Sequence, residues 1–360
     1  MAIDNFKYQN LIIFYFSGTG NSEKTALWFG EVSEKENIET VIYRIEDLKG
    51  KQLPEIPKKT LIGICSATHG FNLPPLVLKF IRKLPIAKSN DMFIINTRAG
   101  IKLHKAFLPG LSGMAQIVNA LWLRLKGYKI VGMQPMDMPS NWILVHPGLR
   151  NKVVKSIHAR CEKKTKSFAA KILSGKKKYK ALLSLPLDIA VIPIAILYYF
   201  VGRFFLAKTL IASFDCTKCG KCVKKCPVEA IKLVDSRPFW TYKCESCMRC
   251  VNICPERAIE TTHLFAASMI IANSLLFAPF VIFMLDYFNV LQIVKLSVFT
   301  ENVWEIISAY LFLMILFLNY RILHFLLRFR FVNMLFTYSS FSRFRFWRRY
   351  HANKGRRSKL

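Results

Sequence analysis

Between residues 10 and 148, short apolar runs alternate with longer segments of helical period. Leu11–Phe16, Thr40–Ile45, Thr60–Cys65, Met92–Asn96 and Lys129–Met133 each read as a buried strand, and Glu23–Glu34 reads as a helix. Strands alternating with helices call for a parallel sheet covered on both faces. Five of them suit a doubly wound α/β domain, whose ligands lie beyond the carboxyl ends of the strands. Further along the chain the pattern changes. Leu264–Leu285 contains 22 residues without a charge, long enough to cross a hydrocarbon core. Val303–Leu327 is comparable, with Glu305 near one end and Arg321 and His324 near the other, where such side chains reach the interface. Residues 181–214 are also apolar, but Asp188, Arg203 and Lys208 leave only the 14 residues Ile189–Gly202 uncharged, and Pro186 and Pro193 interrupt the segment. A single crossing there would also separate flanking segments that both carry cytoplasmic signals. The expectation is an interfacial or re-entrant segment with no net crossing.

Charge sharpens this layout. The chain carries 53 Lys and Arg against 22 Asp and Glu, a formal net charge of +31. Residues 150–180 hold twelve basic side chains against the single acid Glu162, and residues 328–360 hold ten against none. So basic a chain raises nucleic-acid binding, but both tracts flank apolar stretches, where Lys and Arg face the cytoplasmic leaflet. The bilayer is therefore the expected partner and nucleic acid is not. The loop Asp286–Asn302 has one base, Lys295, against Asp286 and Glu301, so it is expected outside, with the Arg-rich tail 328–360 inside. No charged n-region, apolar h-region and cleavage site open the chain, since Leu11–Phe16 is too short for an h-region. A reducing, cytoplasmic setting follows, in which clustered cysteines are metal ligands. Cys65 and Cys161 stand apart, the first as a small buried hydrophobe and the second as an incidental thiol.

The other eight cysteines form two runs of C-x2-C-x2-C-x3-C-P, and the second repeats the first at an offset of 28 residues, with Pro227, Ala230 and Ile231 returning as Pro255, Ala258 and Ile259. Three closely spaced thiolates grip one face of a cubane, while the fourth, turned away by its proline, reaches the other cluster. The first cluster is thus expected on Cys216, Cys219, Cys222 and Cys254, the second on Cys244, Cys247, Cys250 and Cys226. Paired C-x2-C units also serve zinc ribbons, but eight cysteines at this spacing with both prolines favour two [4Fe-4S] clusters. Lys218, Lys221, Lys224, Lys225, Lys243 and Arg249 interleave with the ligands, either to dock an acidic electron donor or as an ordinary solvated face.

The first strand runs into Ser17-Gly18-Thr19-Gly20-Asn21-Ser22 and then the helix. Small residues let backbone wrap an anion, and hydroxyls, amides and the helix amino terminus supply donors. The same string also serves as a simple helix cap. It lacks the third glycine of the dinucleotide fingerprint and the lysine of a P-loop, which disfavours NAD and ATP.

The string FYFSGTGNS resembles the FMN phosphate loop of flavodoxins, and is especially similar to bacterial proteins that fuse a flavodoxin domain to a two-cluster ferredoxin. The likeness covers residues 10 to about 175 and 214–262, and includes Met138-Pro139-Ser140-Asn141-Trp142. It implies an α/β flavodoxin-like domain over 1–175 with bound FMN, an α+β ferredoxin module over 215–262, and, in this chain, added membrane helices. In flavodoxins the loops after the third and fourth strands flank the flavin ring. Here they would be Ser66–Asn72, containing Thr68, His69, Gly70 and Phe71, and Thr97-Arg98-Ala99-Gly100. Phe71 then either stacks on the ring or packs within the loop, and Arg98 either offsets charge on reduced flavin or is solvated. Thr68-His69-Gly70 departs from the Pro-Val-Tyr type of sequence more usual in the fusion family. His69 is the one plausible proton donor there, against the reading of a bystander.

A cluster moves one electron at a time and FMN two, so joining them makes a converter. The expected function is electron transfer between the clusters and FMN at the cytoplasmic face of a membrane, with a protein donor or acceptor. The alternative is an FMN-dependent reductase of a lipid-soluble substrate, a quinone or unsaturated lipid intermediate. A redox sensor is the minor reading, because no output domain is recognisable.

Overall fold

A computed structural model describes residues 7–87, 89–104, 106–287 and 298–347. Among these the chain forms two compact units, one holding the residues up to Trp142 together with Gly148–Tyr198, the other Ile143–Pro147 together with Tyr199–Trp347.

The first unit is built on a sheet whose strands run in the order β2-β1-β3-β4-β6-β7. These are β1 Asn10–Phe16, β2 Glu39–Arg44, β3 Thr60–Ala67, β4 Asp91–Leu103, β6 Lys129–Pro139 and β7 Lys178–Tyr179, with β5 Ala106–Leu108 folded back antiparallel onto β4. All pairs along the main path are parallel. The first five strands have the flavodoxin-like order, which reverses between β1 and β3 and opens a crevice at their carboxyl ends. Leu11 to Phe16 are all buried because helices cover both faces of β1. One cover, α1 (Asn21–Lys35), turns Ala26, Trp28 and Phe29 inward. Phe29 stacks on Phe93 of β4 at 4.2 Å, and Phe168 of the helix Asn151–Leu173 meets both rings edge-on. Cys65 lies fully buried as expected, and Cys161, expected to be incidental, is a core residue whose thiol meets the Asp137 carbonyl at 3.3 Å.

Two boundaries differ from the sequence expectation. Thr97–Gly100, expected as a loop, continues β4 in register with Met136–Pro139 of β6. The Arg98–Asp137 ion pair, 2.7 Å between Nε and Oδ1, links the strands at that point. Gly100 lets the backbones close, since a Cβ there would stand 2.4 Å from the Asp137 carbonyl oxygen. The sheet domain also runs past residue 175, taking in β7 and the first half of the apolar segment 181–214. That segment is two helical pieces, Lys180–Ala190 and Ile192–Ala207, meeting at 76°. Its first piece is pinned by buried Asp188, which accepts the backbone N–H groups of Ser112 and Gly113 at 2.8 and 2.7 Å and the Ser184 hydroxyl at 2.7 Å.

The second unit repeats itself. Strand β9 (Ile231–Val234) pairs with β10 (Arg237–Trp240), and β11 (Ile259–Thr261) with β8 (Leu210–Ala212). Short helices Lys221–Lys224 and Arg249–Ile253 occupy equivalent places 28 residues apart. Left-handed backbone recurs at the same offset: Lys218 and Ser246, Gly220 and Met248, Glu229 and Arg257. Against this module packs the long helix Val298–Leu326, burying Leu313, Leu316, Tyr320 and Leu323 beside Phe265 and Met269 of the helix His263–Ala272. The span Ile307–Leu326 is long and apolar enough to cross a membrane. His263–Leu276 is shorter; helix continues through a π turn at Asn273–Phe277 into Ala278–Tyr287, so the expected 264–285 span is helical with an irregular middle. The expected outer loop, with Lys295, lies mostly in 288–297, outside the described residues, as does 348–360 of the expected tail. The rest of that tail is folded. Helix Arg330–Tyr338 buries Asn333 and Thr337 and exposes Phe331, Leu335 and Tyr338.

Asp188→Ala strands two buried amides, a loss of about 2–4 kcal/mol. Faster amide exchange at Ser112 and Gly113 and cleavage within 180–198 by added protease are the expected outcomes. Unchanged protection would show that other contacts hold the segment.

Candidate functional site

The cysteine runs fold as loops because each left-handed residue reverses the chain within the C-x2-C spacing, gathering thiols that an extended chain would turn to opposite sides. Cys216, Cys219, Cys222 and Cys254 line one chamber, walled by Leu233, Pro238, Pro255 and Ile259. Three thiols thus come from the first run and one from the second, the set expected for one cubane. Among the described residues no three His, Cys, Asp or Glu converge as a single metal ion needs. Four thiols around one chamber suit a metal cluster. The repeated alanines have a purpose in this arrangement. Ala230 N–H donates to Cys226 Sγ at 3.2 Å and Ala258 N–H to Cys254 Sγ at 3.4 Å, each holding the fourth cysteine of its run.

The two halves differ in environment. Cys219 is exposed and Cys216 and Cys222 half-buried, whereas Cys244 and Cys250 are buried. Burial pushes the Cys222 thiol up to about 11, those of Cys244 and Cys247 to about 12, and that of Cys250 well above its ordinary value, and neighbouring thiols add to each shift. Burial thus favours the neutral thiols, and a metal bound among them would supply the charge that ionises them. Two donors wait beside them. The Trp240 indole N–H, fully buried, makes no geometric hydrogen bond yet is near enough to favour the Cys250 thiolate. Such an orphaned donor fits a cluster sulfur. Lys208, 3% exposed, donates to the Trp240 carbonyl and lies 4.6–5.1 Å from the ring centres of Phe239, Phe317 and Tyr320. Burial lowers its ammonium to about 8, and Cys244 opposes that shift.

In the sheet unit, Gly20 adopts φ 96° at the start of α1, a conformation that costs a side-chain-bearing residue about 1 kcal/mol or more. Its N–H donates to Ser17 Oγ at 2.9 Å. Asn21 Nδ2 donates to the Pro139 carbonyl at 2.8 Å, and Ser22 and Thr97 share a hydrogen bond of 2.9 Å, so the loop is fixed to the ends of β4 and β6. Gly18 and Thr19 remain half-exposed at its rim. Thr68 joins them, its N–H donating to the Thr97 carbonyl at 2.8 Å and its hydroxyl accepting from Asn96 at 2.7 Å. His69–Asn72 is a tight turn with φ 51° at Gly70 and 63° at Phe71, strained for an aromatic residue. The neutral amides and hydroxyls of this cradle suit a phosphate.

The structure thus brings Ser17–Ser22, Thr68–Phe71 and Thr97 together. Arg98 is engaged elsewhere, by Asp137 and by Ser112 Oγ at 3.2 Å, and Ala99 and Gly100 lie in the strand pairing. His69 packs edge-on to Phe16. Residues not foreseen join the site. Tyr198 covers Gly70 so closely that a Cβ there would meet its ring at 2.1 Å, and Trp142 meets Tyr198 at 5.7 Å with its own indole N–H buried and unpartnered. That orphaned donor beside the ring loop fits a polar ligand. Tyr198 had no local signal, but Trp142 stood in the Met-Pro-x-Asn-aromatic string. Lys208 was visible only as a break in an apolar run.

Residues 215–259 match the 4Fe-4S dicluster domain family, and this segment is a [4Fe-4S] ferredoxin domain. No curated protein matches the chain. Among solved structures it is similar to a flavodoxin from the domain Archaea, at 16% identity and TM-score 0.31 over 45% of this chain and 98% of that one. It is also similar to oxidised Flavodoxin 1 from Bacillus cereus, at 15% and 0.29 over 45% and 97%. Rubredoxin oxygen:oxidoreductase from the anaerobe Desulfovibrio gigas is similar at 17% and 0.28 over 46% and 36%. The flavodoxin-like assignment of the first unit rests on its strand order.

Cys254→Ala separates cross-run from within-run ligation. We expect the cluster held by the first run to be lost or degraded and the buried one to survive, seen as residual iron near four per chain and one remaining EPR signal. Loss of the second-run cluster instead would refute the shared set. Lys208→Met is expected to make only the buried cluster harder to reduce in EPR-monitored potentiometry, since reduction adds negative charge beside a removed cation.

Proposed function

We propose that the chain is a membrane-bound electron-transfer protein holding two [4Fe-4S] clusters and FMN, with its redox units and carboxyl terminus at the cytoplasmic face. The observation that carries this reading is the chamber drawing Cys254 into the set Cys216, Cys219 and Cys222, in a chain that also carries a phosphate cradle on a flavodoxin-like sheet. Cys244, Cys247, Cys250 and Cys226 would hold the second cluster; Ser17–Ser22 would bind the FMN phosphate, with Thr68–Phe71 beside its ring. The clusters supply single-electron steps and the flavin steps of one or two. The protein's part is to orient thiols, supply amide and indole donors and exclude water from the inner cysteines.

Membrane attachment is supported by Val298–Leu326, which buries one apolar face and exposes Tyr310, Met314, Leu318 and Phe325 on the other. The chain leaves the ferredoxin module at His263 and is back against it from Leu313 of the long helix, whose Tyr320 hydroxyl donates to the Leu210 carbonyl, and buried Asn333 beyond it donates to the Ala212 carbonyl. Segments that leave and return to one module cross a bilayer an even number of times, which favours a helical hairpin with its loop outside. The inverted helix Arg330–Tyr338, apolar side outward and flanked by Arg328 and Arg330, suits the lipid interface.

A second reading, an FMN-dependent reductase of a quinone or unsaturated lipid intermediate, draws on the segment held by Asp188. Its outer side exposes Leu183, Leu187, Ile194 and Leu197, while Tyr198 closes on the ring loop at Gly70. A lipid-soluble substrate would meet that apolar surface first.

Acid extraction of anaerobically purified protein is expected to release FMN, with about eight iron per chain. Gly20→Val should lose flavin and keep iron; a preparation with no extractable FMN would end the proposal. Mixing reduced protein with acceptors separates the two readings. Reoxidation by proteins alone marks the carrier, and turnover with a quinone or lipid extract marks the reductase.

A further inference from the structure

We infer that the face around Cys219, carrying Lys218, Lys221, Lys224 and Lys225, is the docking port for an acidic one-electron carrier protein. The inference rests on the two-cluster reading above and adds which cluster meets the partner and through which residues.

The internal repeat provides its own control. Both runs have the same spacing, left-handed positions and alanine-to-thiol bonds, so positions 28 residues apart share a backbone environment. Their surfaces have nevertheless diverged. All four lysines of the first run are exposed. Their counterparts are Ser246, which is buried and donates to the Arg203 carbonyl, half-buried Arg249 and Asn252, and Ile253. Cluster geometry demands no lysine, since the second run keeps that geometry with only one base among these four positions. The charge therefore serves something outside the molecule.

Access points the same way. The chamber formed by Cys216, Cys219, Cys222 and Cys254 is lined by Lys218 and Lys221, and Cys219 is exposed among them. Cys244 and Cys250 lie inside, under Lys208, Trp240 and Tyr320. Electron tunnelling falls off steeply with distance, so a soluble partner exchanges electrons through the cluster it can approach. Glu256 at the chamber, exposed Glu229 and Asp215, which is paired with Arg343, are acids nearby, outnumbered by the four lysines. An acidic surface is the complement of this patch. An anionic bilayer would offer the same charge, but among the described residues the large exposed apolar side chains near the patch are Phe214, Leu233 and Val234 at its edges and none lies within the lysine run itself, whereas the helices read as lipid-facing expose many. A headgroup layer also neither gives nor takes an electron. In the exchange, one electron leaves the reduced carrier and one cluster is reduced by one; no bond forms and no proton is required.

The test uses the full-length protein with its clusters, in phosphatidylcholine nanodiscs, and a reduced acidic [2Fe-2S] ferredoxin as probe, followed by stopped flow. The second-order rate is expected to fall about tenfold or more as salt is raised from low to physiological ionic strength. Replacing the four lysines together (K218Q, K221Q, K224Q and K225Q) should slow the low-salt reaction about tenfold and flatten its salt dependence. Lys243→Gln, in the second run, should leave it near wild type. Reduced methyl viologen, a small cation, should reduce the quadruple variant at least as fast as wild type, which shows intact clusters. Missing iron, or no reduction by viologen, would overturn the two-cluster reading and the port with it. Normal viologen reduction with an unaltered ferredoxin rate and salt dependence would overturn the port alone. So would acetylation of the four lysines that is blocked when phosphatidylglycerol is added to the discs, since that outcome makes the patch a lipid contact.

Discussion

A buried thiol and an ionised thiol are incompatible unless something nearby supplies positive charge. Cys244, Cys247 and Cys250 lie where burial drives them toward the neutral form, and the second unit is organised around that conflict. Trp240 turns its indole toward Cys250, Lys208 reaches inward from the end of an apolar segment, and three aromatic rings hold its ammonium in place. Two of those rings belong to the long helix, so the part of the chain that resembles a membrane anchor also shapes the surroundings of the inner cysteines. The loop Ser17–Ser22 of the first unit is built differently, from uncharged amides and hydroxyls, and Arg98 beyond it is paired with Asp137.

Much of this was legible in the sequence because it depends on local spacing. The strands of the sheet, the loop Ser17–Ser22 and the two cysteine runs are patterns over a few residues, and the 28-residue repeat extended to alanines whose amides hold the fourth cysteine of each run. What escaped depends on partners far along the chain. The flavodoxin resemblance places Thr97–Gly100 in a loop, yet Asp137 and Gly100 allow β4 and β6 to continue together. Tyr198, Asp188 and Lys208 act across 128, 76 and 32 residues of sequence, on Gly70, Ser112 and Trp240. No periodicity encodes such pairings.

The carboxyl-terminal helix illustrates a different limit. In the sequence it reads only as part of a basic tail, and periodicity alone would say that there are two faces, not which one the protein keeps. Aqueous intuition would bury Phe331 and Leu335; the structure buries Asn333 and Thr337, which find carbonyl and side-chain partners. Ser342 continues the scheme by accepting from Thr261 N–H at 3.0 Å and donating to Glu260 at 2.5 Å.

That last docking has a bearing on how the protein is made. Strand β11 receives Ser342 from 81 residues downstream, Ala212 receives Asn333 from 121, and Asp215 receives Arg343 from 128. The ribosome therefore releases every cysteine well before the residues that close the module over them. During that interval the thiols are held by local loops alone, reachable by whatever delivers iron and sulfide. Folding of the tail then follows synthesis of the apolar helices, so the final third of translation sets the order in which the cysteine loops form and are closed over.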